Sequence, residues 1–438
     1  MTVGATDIAA AEQEIVQEHQ LREKIINEEF KIWKKTVPLL YDTIHSQALD
    51  FPSLSIAWLP DYTVSDNKNF ITVKFLYGTN TSQHSQDYLK LGSLQLPSTL
   101  APDFASFNPN AQSIPIPVGD STTDFKAVSS WKHNGEINKI RLSPDASSAI
   151  TFDNSGDVHL YDLSAVNKPP TSFVYHKQEG YALEWVLNDR FLSGANDSQI
   201  VLWDVSKPLT PLQAFKSHTA VINDLSHSVP SQHLFGSVAD DYWTHIHDLR
   251  SSVNDGPAIK TQTSHVQNAI SFHPQIATLY AVAGKDKVVN VYDLRNPNEP
   301  FRKLFGHTES VAGVQWNLDS EPELLTSWGY DRRVITWNLA ALNEDFSYPD
   351  SEEGGRKRAA KSADPCLYFI HGGHTGRVND VSIHPKIPSL YATCGDDSLL
   401  EVYRTKTVRE DTDNEEEAEK EDNDNDEKKD VEMEENDQ

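Results

Sequence analysis

The residues best suited to chemistry recur at a nearly fixed spacing. His307, Ser327 and Asp331 are the three types that a hydrolase combines into base, nucleophile and orienting acid, with Trp337 close behind in the chain. The pattern is not met only once. Histidines stand at 133, 176, 218, 265, 307 and 374, in steps of 43, 42, 47, 42 and 67 residues. A catalytic triad is built once in a chain, not once per repeat. A set repeated along the chain is expected to be an internal hydrogen-bond network, in which a buried Asp accepts from His and His reaches a hydroxyl and an indole. Gly-rich phosphate loops, HExxH, the EF-hand loop and GxSxG are all missing. These residues predict no enzyme, no metal site and no cofactor.

What must position them is the repeat itself. Its clearest copy is Leu304 to Leu339. It opens with Gly306-His307, runs through the alternating stretches VAGVQW and ELLTSW, and turns at Tyr330-Asp331-Arg332-Arg333. It closes with Val334-Ile335-Thr336-Trp337-Asn338. The six copies end in Tyr161-Asp162, Trp203-Asp204, His247-Asp248, Tyr292-Asp293, Trp337-Asn338 and Val402-Tyr403. A period of about 40 to 45 residues with a Gly-His start and a Trp-Asp-like end is that of a four-stranded propeller blade. Six copies and the degenerate strands of 53–96 predict an all-β, seven-bladed WD-repeat β-propeller over residues 51–409. The strand 53–58 is expected to latch the ring by joining the blade of the last repeat. The final histidine step is about 25 residues too long for one blade. That excess places an insertion loop at about 340–364.

The 438 residues carry a formal charge of -27, which repels nucleic-acid phosphates and favours basic partners. Residues 410–438 hold 17 of the acids against three lysines and read as a disordered acidic tail. Two cysteines exclude a disulfide framework and fit a reducing compartment. No apolar run approaches a membrane span and no signal peptide is read. Residues 1–11 are expected to be disordered. A helical segment is expected over 12–50, packed on the side of the ring. In it Ile15, Ile25, Ile26, Phe30, Trp33, Val37, Leu40 and Ile44 recur mostly at three- and four-residue steps, and Pro38 ends or kinks one helix and allows another. A β-propeller does not need such a helix, so it is expected to build a surface as well. Arg356-Lys357-Arg358 with Lys361 reads as either a nuclear import signal or a solvated loop.

The stretch NEEFKIWKKTVPLLYDTIHSQALDFPSLSIAWLPD, residues 27–61, resembles the N-terminal signature of the retinoblastoma-binding, histone-chaperone WD-repeat proteins. FGSVADD (235–241), VYDLRN (291–296), YDRRVITWNL (330–339) and FIHGGHTGRVND (369–380) are similar to that family's blades. The family includes the regulatory subunit of the type B histone acetyltransferase and the small subunit of chromatin assembly factor one. YALEW (181–185) and VYDLRNPNEP (291–300) look more like the former.

The resemblance implies a non-catalytic subunit that binds histones H4 and H3 and partners the catalytic acetyltransferase subunit, in nucleus and cytoplasm. It implies no direct DNA, RNA or membrane binding. It also implies two sites. A side groove between the N-terminal helix and the insertion takes the first helix of H4, with Leu39, Leu40 and Val408 as apolar positions. The family's Gly-Pro-Pro turn is replaced by Ser362-Ala363-Asp364-Pro365, which moves the acidic role to Asp364 or to Glu352 and Glu353. The flat face of the ring takes the basic H3 tail on Glu136, Asn138, Glu179, Tyr181, Asp240, Arg377 and Asn379, with Asn223 where an acid is usual. Two other readings stay open. One is the chromatin-assembly small subunit. The other is a ubiquitin-ligase substrate receptor, suggested by Asp248-Leu249-Arg250 and Asp293-Leu294-Arg295.

Overall fold

The structure, a computed structural model, describes residues 5–82, 84–107, 125–166, 168–317, 321–341 and 364–406. Seven antiparallel sheets follow one another around a central axis. In blade six the strands Val311–Trp316, Leu324–Gly329, Val334–Asn338 and Leu367–His371 pair in that order, from the axis outward. The second strand is buried on both faces, while the first alternates. That is why LLTSWG is apolar or small throughout and VAGVQW is patterned. The aromatic closers pack both within a blade and against the next one. Trp203 and Phe191 stack with ring centroids 6.2 Å apart, and Phe173 meets Trp203 edge-on at 5.3 Å.

A ring of separate sheets leaves inner edges that must be satisfied. Serines do this from blade to blade. Ser55 Oγ accepts from the Ile140 amide at 2.9 Å, Ser226 Oγ from Phe272 at 3.0 Å, and Ser271 Oγ from Trp316 at 3.1 Å. Ser382 Oγ of blade seven accepts from the Trp58 amide of blade one at 3.1 Å, which closes the circle.

The latch differs from the expectation. Ile56–Trp58 is the innermost strand of blade one, paired with Phe70–Gly78. The strand that completes blade seven is Tyr41–Ala48, antiparallel to Leu399–Thr405 with Tyr41 opposite Thr405 and Ala48 opposite Leu399. The helical reading of 41–50 is thus corrected. Tyr41, Thr43 and Ile44 are strand formers, and the open edge of blade seven rewards an extended chain with a ladder of hydrogen bonds.

The helix spans Ala5–Leu40 with Pro38 in its last turn, and the chain passes from it directly into the strand Tyr41–Ala48. Its backbone begins inside the segment expected to be disordered, where Ala5, Ala9, Ala10 and Ala11 are strong helix formers. Among the described residues no helix is long and apolar enough to cross a membrane. Glu352, Glu353 and most of the insertion, Val408 and the acidic tail lie outside the described residues.

Candidate functional site

The repeated histidine sets have triad geometry, and their surroundings show why they are inert. In blade six His307 Nδ1 lies 3.0 Å from Asp331 Oδ2 and His307 Nε2 lies 2.7 Å from Ser327 Oγ. Trp337 Nε1–H donates to the same Oγ at 2.9 Å. Blade three repeats this with Asp197, His176, Ser193 and Trp203. Both serines are fully buried, and each hydroxyl is engaged by an imidazole and an indole, so no electrophile can reach it. Each aspartate also fixes a strand turn. Asp331 accepts from the amides of Thr308 and Arg333, and Arg332 between them takes φ +68°. Burial works against ionisation of Asp331, yet the bonds from His307 and the backbone hold its carboxyl below the usual range. In blade four His247 replaces the tryptophan. Burial, followed by neighbouring imidazoles, pushes both His245 and His247 down to about 3, so they are neutral.

The side surface is built by the helix. Trp33 and Val37 pack on a cluster of Tyr41, Trp328, Val334, Val378 and Tyr403, and Phe30 stacks on Trp33 at 5.4 Å. Trp33 Nε1–H donates to the Tyr41 hydroxyl at 2.9 Å, and that hydroxyl lies 2.8 Å from His371 Nδ1. Arg332 pairs with Glu29 at 2.7 Å, which sets the helix over blade six.

A second apolar stripe is left uncovered. Ile25, Ile32 and Leu39 are 50%, 62% and 74% exposed. At about 100° per residue their seven-residue spacing keeps them in line, roughly a third of a turn from the packed face. Leu40 is 37% exposed and stands at the junction with the latch strand. Sequence reading placed Leu39 and Leu40 here but put Ile25 and Ile26 on one face. The heptad step from Ile25 to Leu39 was the signal that two faces exist. Asp364, by contrast, is turned inward. Its carboxylate is buried, lies 2.8 Å from the Arg302 guanidinium, and accepts from the Phe305 and Cys366 amides. It ties the end of the insertion to the blade and presents no acid to a groove.

The ring's face gathers most of the other expected residues around one opening. Asn138, Tyr181, Asn223 and Asn379 line a cavity of about 480 Å³ on the axis, together with Tyr330. The first four are each the second residue of an inner strand, in blades two, three, four and seven. The asparagines also brace the ring. Asn138 donates to Gly180 O, Asn223 to Gln267 O and Asn379 to Ser53 O, each on the next blade. Glu136 and Glu179 approach one another beside Tyr181. Partial burial, Asp87 and Glu179 raise the Glu136 carboxyl, and burial with Glu179 pushes the Tyr181 hydroxyl up to about 12. An approaching cation relieves that strain. Asp240 is exposed and accepts from Asn223 at 2.8 Å, while exposed Arg377 stacks over the Tyr330 ring at 4.8 Å.

Deeper in the cavity lies a charged set that sequence reading missed. Lys139 Nζ meets Asp380 at 3.1 Å, Arg141 lies 3.7 Å from Glu184, and Ser55 Oγ–H donates to Asp380 at 2.6 Å. Burial raises Glu184 to about 7 although Arg141 opposes it. Charged residues at inward positions of inner strands, Lys139, Arg141, Glu184, Asp224 and Asp380, were the available signal. The arginines that suggested a ligase receptor fold back onto their own aspartates, Arg250 on Asp248 at 2.6 Å and Arg295 on Asp293 at 2.5 Å.

Residues 28–98, which take in the C-terminal part of the helix, the latch and most of blade one, match the sequence profile of a histone-binding family, that of histone-binding protein RBBP4 and its counterpart in the CAF1 complex. Over 409 residues the chain is 30% identical to histone acetyltransferase type B subunit 2 of Candida glabrata. That alignment covers 90% of this chain and 92% of the relative.

Proposed function

The chain belongs to the histone-binding family that holds histone acetyltransferase type B subunit 2 and the RBBP4-like member of the CAF1 complex, and from that membership we propose that it is a non-catalytic subunit that holds histone H4 for a type B acetyltransferase. The observation that carries this reading is the uncovered apolar stripe of Ile25, Ile32 and Leu39, on a helix whose other apolar face is already used by the ring. An amphipathic helix laid along that stripe buries its own apolar face, the helix-in-groove mode. The first helix of H4 is the proposed occupant. The acids Glu136, Glu179 and Asp240, from three blades, take an extended basic segment of H3 across the axis, with electrostatics giving rate and salt sensitivity.

The division of labour follows from the buried hydroxyls. With no accessible nucleophile in the repeated sets, the chain contributes by presenting substrate, which lowers the entropic cost of aligning a lysine with the catalytic partner. It works in both cytoplasm and nucleus. The test uses the purified full chain, H3–H4, and acetyl-coenzyme A with and without the catalytic partner. No acetyl transfer is expected from the chain alone, and a gain in rate is expected when it is added to the partner. Acetyl transfer by the chain alone, or no binding of H3–H4, overturns the proposal. The family profile also names a member of the CAF1 complex. Identifying the chains that co-purify with this one separates that reading from the acetyltransferase reading.

A further inference from the structure

Blade four departs from the repeat at two positions on one strand. His245 and His247 lie on Trp243–Asp248, where blade three carries Val201 and Trp203 and blade six carries Ile335 and Trp337. Two residues apart on a strand, both side chains leave the same face. There they meet His218. The His218 and His245 rings stack at 4.1 Å, and His245 lies 5.8 Å from His247. One ring nitrogen from each of the three falls within 4.8 Å of the other two, and all three side chains are buried.

One feature separates this cluster from the hydrogen-bond sets of the other blades, and a second, which it shares with them, suits it to an ion. The first is an orphan. His245 Nδ1 is buried and has no hydrogen-bond partner. Polar residues at the same register position elsewhere do have partners: His159 has Asp153 and Ser172, Asn290 has Asp286, and Glu401 has His371 and Ser46. The second is the support behind His218. Its Nδ1–H donates to Asp241 at 2.9 Å, which leaves the Nε2 lone pair pointing inward, 2.8 Å from Ser237 Oγ. His247 Nε2 approaches the same hydroxyl at 3.3 Å. A carboxylate behind an imidazole is the usual outer support of a metal-ligating histidine. The other three-residue cluster, His371, His374 and Glu401, has no such orphan. Tyr41, Asp397, Thr393 and Ser46 satisfy it.

We propose that His218, His245 and His247 bind one divalent transition ion of the zinc class, with the Ser237 hydroxyl or a water completing four ligands. Neutral imidazole nitrogens suit zinc, copper and nickel ions and not magnesium or calcium. Zinc holds imidazole nitrogens at about 2.0–2.1 Å, so the donors must draw in to about 3.4 Å from one another in a tetrahedron. The site therefore tightens on loading. Being buried and without an open position, it is structural: the ion ties the hairpin Leu234–Asp248 to the loop that carries His218 and Thr219.

The test uses the untagged full chain, stripped with a chelator and loaded with Zn²⁺ alone or Co²⁺ alone. Ion content is measured after gel filtration, and the melting temperature is measured with and without ion. One ion retained per chain, a melting temperature raised by several degrees, and visible cobalt bands of tetrahedral intensity are expected. The His245→Val/His247→Trp variant copies the residues of blade three and is expected to fold and to lose the ion. His245→Val alone serves as the second variant and is also expected to lose it. Asp241→Asn is expected to weaken binding about 10- to 100-fold. Equal ion content in wild type and the histidine variants overturns the proposal. So does a wild-type chain that retains no ion, or whose melting temperature zinc leaves unchanged.

Discussion

Replacing Ile32 and Leu39 by serine separates histone binding from folding. Full burial of a Leu or Ile side chain contributes about 1.5–3 kcal/mol. Leu39 and Ile32 are 74% and 62% exposed. Each therefore has roughly two-thirds of that gain still available, about 1–2 kcal/mol, when a partner covers it. Removing both costs about 2–4 kcal/mol of binding, a fall of roughly 30- to 700-fold in affinity at about 1.4 kcal/mol per tenfold. The free protein scarcely notices, since surface substitutions shift stability by about 0.5 kcal/mol or less each. Fluorescence anisotropy with a labelled peptide of the first H4 helix, and a thermal melt of the same preparation, give both quantities. The reasoning is refuted by unchanged affinity at unchanged melting, or by an affinity loss that only follows unfolding. Leu40→Tyr is a milder companion. Leu40 is already more than half covered, so a larger ring is expected to overpack the end of the groove at about 1–3 kcal/mol.

Three further outcomes follow from other parts of the ring. Ser327→Ala strips a partner from both the Trp337 indole and His307 Nε2. At roughly 1–3 kcal/mol for each orphaned group, urea unfolding is expected to register a loss of about 2–6 kcal/mol while histone affinity holds; a loss below about 1 kcal/mol contradicts a structural role. Glu184 titrates at about 7 in the fold against an ordinary 4.5, so the folded state binds this proton more tightly than the unfolded chain. Its contribution is full below pH about 4.5 and is lost as pH rises through 7, by at most on the order of 3 kcal/mol. Glu184→Gln is expected to flatten the stability profile across that window, and an unaltered slope speaks against the assignment. Glu136→Gln and Glu179→Gln are each expected to weaken binding of an H3-tail peptide roughly two- to fivefold and to reduce its salt dependence. Salt titrations that superimpose on wild type would remove the face from the H3 site.

The six repeat blades were readable because each repeats one simple decision. A histidine, a hydroxyl and a turn aspartate recur where the strand pattern demands them, so errors in any one copy are outvoted by the rest. The latch is built once and had no such support. Leu40 and Ile44 are four apart, which suits a helix, and only the missing fourth strand of blade seven makes Tyr41–Ala48 extended. Asp364 was misplaced for a related reason. Its sequence neighbourhood is a polar insertion, and nothing local reveals Arg302, 62 residues away, as its buried partner. Glu136, Glu179 and Asp240 were expected at the face only because the resemblance named them. The charged set around Glu184 was missed because single charges on separate inner strands meet only when the ring closes.

The same closure sets the proposed histone surface. Leu40 ends the helix and Tyr41 begins the latch, with no linker between them. The Tyr41 hydroxyl receives the Trp33 indole on one side and faces His371 on the other, and His371 continues to Glu401 in the strand that the latch covers. Lys406, just past that strand, donates its backbone amide to Leu40 O and its ammonium to Pro38 O. The end of the helix is thus pinned by groups from both termini of the propeller. A ring that fails to recruit Tyr41–Ala48 loses the anchors that orient Leu39, so the stripe is presented in register only by a closed ring. Binding along that stripe must in turn favour the latched state, because a ligand that needs one arrangement stabilises it. Opening of the Tyr41–Ala48 ladder, followed by amide exchange, is accordingly expected to slow when the H4 helix is bound, and exchange that ignores the ligand refutes the coupling.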